Sequence, residues 1–254
     1  MKNFQRPVVC VSRCLGFENC RYNGSMVNDV LVSRLAEHST IINICPEKEI
    51  GLKTPREPLR IVRENESLRL IQPKTKEDYT DAIINFSDTF TNSLKGIDGF
   101  ILKSRSPSCG IKDVKIYSHS EKGASSDKGN GFFGEAVLKK FSNSVIEDEG
   151  RLSNYKIREH YLTRLFLNAN FKYAKESQSM EELLKFHGMN KLLLMAYNQK
   201  ELKILGKITA NHEHKALSEV FSDYETHLNS TLSRSARYTS NINVLQHAMG
   251  HFSK

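Results

Sequence analysis

Strand and helix signals alternate along the first 150 residues, and then the strand signals stop. That single change of pattern restricts the chain to an α/β domain followed by an all-α one. Val8-Val9-Cys10-Val11, Thr40-Ile41-Ile42-Asn43-Ile44 and Gly99-Phe100-Ile101-Leu102 are short β-branched or apolar runs, as buried strands require. Val114-Lys115-Ile116-Tyr117 reads as a fourth, and residues 59–62 and 68–71 as a hairpin. Residues 28–37, 76–94 and 133–141 carry helical spacing, with Tyr79, Ile83, Phe86 and Phe90 on one face of the second. This alternation predicts a Rossmann-like, mostly parallel sheet with helices on both faces over residues 1–150. The polar stretch 118–128 and the glycine-punctuated stretch 123–131 read as loops. Residues 156–175, 180–187, 189–197, 201–211, 215–232 and 242–252 predict an all-α domain over 151–254, with a break at Gly188.

Apolar residues make up 39% of the 254, enough for a sizeable core. No apolar run approaches membrane-spanning length, and Met1 to Pro7 leads into nothing resembling a signal peptide, so a cytoplasmic protein is expected. Residues 151–254 hold 15 Lys/Arg against 9 Asp/Glu, and so carry +6 of the formal +8 charge. A basic half of this kind suits a phosphate-rich partner, although a solvated basic surface has the same composition. The five cysteines all lie in the first half, and an odd count in a chain read as cytoplasmic argues against a disulfide framework. Cys10 falls inside a strand and is expected in the core. Cys14, Cys45 and Cys109 each follow a predicted strand among Gly, Pro and Ser, and parallel sheets bind ligands beyond the carboxyl ends of their strands. Three thiols near one sheet edge are therefore expected. Residue chemistry alone leaves buried thiols, a zinc site and an iron–sulfur centre all open.

Three separated motifs carry a resemblance. They are Cys14-Leu15-Gly16 with Arg21-Tyr22-Asn23-Gly24, the run from Cys45-Pro46-Glu47 to Arg56-Glu57-Pro58, and Lys103-Ser104-Arg105-Ser106-Pro107-Ser108-Cys109-Gly110. In order and spacing they resemble the thiouracil desulfidase family. The resemblance implies a [4Fe-4S] cluster on Cys14, Cys45 and Cys109, with one iron open to the substrate sulfur and sensitive to oxygen. It implies Glu47 as acid/base and Ser106 as the active-site serine, with Ser108 a close competitor that could instead contact substrate. It also places Arg21 and Tyr22 in the pocket, Tyr22 stacking on a base, and Lys103 and Arg105 near a substrate phosphate. Each has a plainer reading: Glu47 as a helix cap, Ser106 as a turn former, Tyr22 as a structural residue, and the cations as solvated. Arg56 is expected on phosphate or paired with Glu57.

The second half resembles the helical domain of unknown function fused to the longer desulfidases, through Phe186-His187-Gly188-Met189-Asn190-Lys191 and Asn243-Val244-Leu245-Gln246-His247. Those long members are implicated in removing sulfur from 4-thiouridine in tRNA. The implied activity is thus a non-redox, hydrolase-like replacement of sulfur by oxygen in thiolated uracil, with tRNA as partner. Free thiouracil or 4-thio-UMP is the alternative substrate, and a non-catalytic metal- or cluster-bearing nucleic-acid-binding module the alternative class. Lys185, Lys191, Lys203, Lys207, Arg234 and Arg237 are candidates for RNA phosphates, and His187 is expected at a helix end. The sequence departs from the family pattern at Asn23, where many members have Asp, and at Cys20, where an apolar residue is common and a non-ligand is expected. The resemblance ends at Phe252, where relatives continue, so a C-terminal truncation relative to them is expected.

Overall fold

A computed structural model describes residues 5–120 and 124–252. Two compact units divide the chain, one spanning Arg6–Tyr155 and the other running from Lys156 onward.

The first unit holds two sheets. Strands β1 (Val8–Ser12) and β2 (Thr40–Ile44) are parallel neighbours, separated by helix α1 (Val30–His38). The four-residue helix α2 (Pro46–Glu49) follows β2 directly. A hairpin of β3 (Arg60–Glu64) and β4 (Ser67–Gln72) comes next, then the short β5 (Glu77–Asp78) and helix α3 (Thr80–Ser93). After them come β6 (Gly99–Leu102), β7 (Val114–Tyr117), β8 (Ser126–Gly129), helix α4 (Phe132–Lys140), β9 (Val145–Asp148) and the one-turn helix α5 (Glu149–Leu152). One sheet runs β2-β1-β6-β9, all parallel. The other runs β5-β4-β3-β7-β8 and is antiparallel except between β3 and β7.

The α/β class holds, but the membership of the sheets differs from expectation. β7 joins the hairpin in the second sheet, and β9 takes the edge of the parallel one. Val145-Ile146-Glu147-Asp148 has too few apolar residues to announce a strand; its partner β6 makes it one. Likewise β8, Ser-Asp-Lys-Gly, read as part of a loop, yet it pairs with β7 from Tyr117↔Ser126 to Val114↔Gly129. Such a polar edge strand is held by its ladder rather than by side-chain burial.

The central strands are buried on both faces, as parallel strands under helices must be. Cys10, Ile44, Phe100, Leu102, Phe133 and Val137 form one core, with Phe86 and Phe90 of α3 against it. Cys10 is a core residue here. Helix α4 then anchors the loop before β7. Its entry has no side-chain cap, but the amides of Gly131, Phe132 and Gly134 donate to the carbonyls of Gly110, Pro107 and Ser108 at 2.7, 3.1 and 3.0 Å. Orphan N–H groups of a helix start thus hold the Cys109 loop. The approach needs glycine: a Cβ on Gly134 would lie 2.2 Å from the Gly110 carbonyl oxygen and 2.9 Å from that of Cys109. Gly134→Ala is therefore expected to cost about 1–3 kcal/mol through overpacking against backbone. A thermal melt should show the midpoint several degrees lower; an unchanged midpoint would mean that the loop yields freely.

The second unit is helical: α6 (Tyr155–Glu176), α7 (Met180–Tyr197), α8 (Gln199–Ala210), α9 (Leu217–Thr231) and α10 (Tyr238–Phe252). Leu167, Phe171, Leu183, Phe186, Leu205, Phe221 and Tyr224 build its core. The expected break at Gly188 is absent, because α7 continues through it. One interior glycine costs only about 1 kcal/mol, and burial of Leu183, Phe186 and Leu194 on the same helix outweighs it. His187 is accordingly not at a helix end. Its Nδ1 lies 3.0 Å from the Tyr224 hydroxyl, and burial, with Lys191 nearby, pushes its pKa down. No helix among the described residues is long and apolar enough to cross a membrane.

Candidate active site

Because β2, β1 and β6 are adjacent and parallel, their carboxyl ends meet at one edge. Cys14 lies two residues beyond β1, Cys45 immediately beyond β2, and Cys109 in the loop after β6. All three line one cavity of about 340 Å3. Also in its wall are Ser12, Arg13, Cys20, Arg21, Tyr22, Glu47, Arg56, Lys103, Arg105 and Ser106. Every predicted site residue except Ser108 is in this lining, and Ser108 reaches it through Glu47.

Glu47 sits in the first turn of α2, which starts at Cys45 with Pro46 at its first position. It does not cap that helix with its side chain. Its Oε2 instead accepts from Nε and Nη2 of Arg56 at 2.8 and 2.5 Å, and its Oε1 from the Ser108 hydroxyl at 2.9 Å. Both side chains of this ion pair are largely shielded from solvent, Arg56 at 6% and Glu47 at 12% exposure. Arg56 therefore pairs with Glu47 and not with Glu57, whose carboxylate takes Lys74. The guanidinium also donates to the Cys20 carbonyl through Nη1 and Nη2, both at 3.1 Å, and the Arg56 amide donates to the Tyr22 carbonyl at 2.7 Å. One arginine thus fixes the carboxylate and the loop after Cys14 together. Its planar fork suits this better than a lysine would.

The two serines divide their roles. Ser106 Oγ accepts from the amides of Ser108 and Cys109 at 3.2 and 3.1 Å, shaping the turn that presents Cys109. Ser108 is fully buried and donates to Glu47. Lys103 is ion-paired with Glu149, which also accepts from the Ser104 amide and hydroxyl, each at 2.7 Å. Burial opposes the Glu149 charge, but these donors outweigh it and hold the carboxyl below its usual range. Nothing in the sequence marked Glu149, which arrives at the site only because β9 pairs with β6. Arg105 is exposed, with a backbone φ of +57°, and makes no ion pair among the described residues. Tyr22 is 44% exposed in the cavity wall, where a base could lie on its ring. Arg21 donates to Ser25 Oγ, which in turn donates to Asn23 Oδ1 at 2.7 Å, so Asn23 shapes a local turn.

The donor set fits a thiophilic group. Cys14, Cys20, Cys45 and Cys109 are buried, at 9%, 1%, 9% and 6% exposure. Contact with the Cys20 thiol, and then burial, push the Cys45 thiol up; burial does the same for Cys109. The nearby Lys48 amide works the other way at Cys45. Such thiols release protons when a metal binds them. Among the described residues no three His, Cys, Asp or Glu side chains converge on a position for a single ion. The thiols instead stand around an open cavity with room for a larger group.

The 2-thiouracil desulfurase family model matches residues 9–149, which takes in the whole cavity wall. The chain therefore belongs to the 2-thiouracil desulfurase family and is a thiouracil desulfidase by class. A second model, that of a protein family of unknown function (DUF1722), matches residues 191–254. Among relatives, the uncharacterized protein YbbK of Bacillus subtilis (strain 168) is 32% identical over 111 residues, covering 41% of this chain and 73% of YbbK. The solved structure of the [4Fe-4S]-dependent thiouracil desulfidase TudS aligns with 58% of this chain and 94% of its own, at 26% identity and a TM-score of 0.47.

Proposed function

We propose that the chain is a [4Fe-4S]-dependent desulfidase that replaces sulfur by oxygen in thiolated uracil, with 4-thiouridine in tRNA as its substrate. The observation that carries this reading is the convergence of Cys14, Cys45 and Cys109 on a cavity in whose wall a fixed carboxylate also stands. These three thiols would hold the cluster. When bound, it would supply a thiophilic iron to accept the sulfur of a thiocarbonyl.

The protein's own part is positional and acid–base. With Oε2 taken by Arg56, Glu47 works through Oε1, and the Ser108 hydroxyl on that oxygen orients it. Oε1 takes a proton from the incoming water as oxygen adds to carbon, and returns it as sulfur leaves as sulfide. Atoms balance as thiocarbonyl plus water giving carbonyl plus hydrogen sulfide, with no electron transferred. Tyr22 offers a face for the base and Arg105 a charge for its phosphate. The basic helical half supports a polynucleotide over a free base.

The test uses the full chain, reconstituted without oxygen, with iron and sulfide counted. Loss of thiocarbonyl absorption is then followed on 4-thiouridine-containing tRNA, 4-thio-UMP and 2-thiouracil. Turnover of the tRNA is expected. Turnover of the small substrates alone would move the substrate to free nucleotides or bases. Inactivity on all three with a full cluster would favour a non-catalytic module.

A further inference from the structure

We infer that Cys20 is a fourth thiol of this centre, placed to ligate the iron that Cys14, Cys45 and Cys109 leave open while no substrate is bound. The inference rests on the cluster reading above and adds a residue which that reading does not use.

Cys20 is 1% exposed and lines the same cavity as the other three. Its thiol stands beside those of Cys14 and Cys45 in that wall. Its backbone is also held from both sides. The amide donates to the Glu18 carbonyl at 2.8 Å, and the carbonyl accepts both Arg56 nitrogens as well as the Cys45 thiol, the last at 4.0 Å. A buried sulfur in the wall that the three prospective ligands share, on a backbone clamped by Arg56 and the Cys45 thiol, has the chemistry of a ligand.

The exchange balances without redox change. The Cys20 S–H gives its proton to solvent as a sulfur–iron bond forms. An incoming thiocarbonyl sulfur takes that position, and the released thiolate is protonated again. In the resting protein Cys20 then shields the iron most easily lost to oxidation.

Full-length wild type, Cys20→Ala and the near-isosteric Cys20→Ser are reconstituted anaerobically, counted for iron and sulfide, and exposed to a mild oxidant. Electron paramagnetic resonance follows the conversion to a three-iron species. The wild type is expected to hold four irons several-fold longer than either variant, although all three begin with equal iron. Equal rates of conversion would overturn the proposal. A second arm compares Cys14→Ala with Cys14→Ala/Cys20→Ala. Retention of iron by the single variant alone supports the reach of Cys20 to the cluster, and equal loss counts against it. Wild type that binds no iron and sulfide would overturn the cluster reading itself, a result distinct from either of these.

Discussion

Replacing Cys45 by alanine is expected to leave a folded chain that assembles no intact cluster and has lost at least about a hundredfold of its desulfidase activity, since disturbing even the outer partners of a metal centre costs that much. The reason is positional. Cys45 is the last residue before α2 and directly continues β2, so strand pairing with β1 carries its backbone to the sheet edge. Its sulfur meets the Cys20 carbonyl and faces the cavity wall that Cys14 and Cys109 share. Removing one sulfur there costs little packing but deletes one of three ligands. Iron and sulfide per chain, measured beside a circular dichroism melt, separate the two effects. Normal iron content in Cys45→Ala that persists in Cys45→Ala/Cys20→Ala would remove it from the ligand set.

The second large effect is expected at Glu47→Gln: turnover down by about 10²–10⁴, the usual contribution of a general acid–base group, with cluster content unchanged. The amide keeps the shape but has a single acceptor oxygen: turned toward Arg56, it leaves an NH2 against the Ser108 hydroxyl, and it cannot take a proton. Loss of the negative charge leaves the buried Arg56 guanidinium with neutral acceptors only. A stability loss of roughly 1–3 kcal/mol should therefore accompany the kinetic one. Single-turnover loss of thiocarbonyl absorption on the loaded variant checks the first, and denaturant unfolding the second. Turnover within a few-fold of wild type would end the acid–base role and leave Glu47 as a structural partner of Arg56.

The sheet edge was legible because β1 and β6 are buried on both faces, and burial writes itself into sequence as apolar runs. The edge strand β2, where only Ile44 is buried, announced itself by its β-branched residues instead, and the cysteines that follow all three could be placed by the rule that parallel strands present ligands at their carboxyl ends. Polar strands carry no such record. β8 and β9 exist through their ladders to β7 and β6, so neither they nor Glu149 beyond β9 could be found from residue type. Partner choice was equally hidden. Arg56 could equally have been assigned to its chain neighbour Glu57, whereas the chain path between 47 and 56 brings it to Glu47. The roles of Ser106 and Ser108 separated only when one hydroxyl was seen to accept from the Cys109 turn and the other to donate to Glu47.

By itself, then, the order of residues determined the two kinds of domain, the parallel core and the three thiols at its edge, because periodic burial and turn chemistry are local properties. Tertiary structure alone decided which sheet β7 joins, that Arg56 grips Glu47 and that the Cys45 thiol meets the Cys20 carbonyl. Those are contacts between residues distant in the chain or turned toward one another by a loop. Their energy appears only when folding has brought the groups together and taken water from between them.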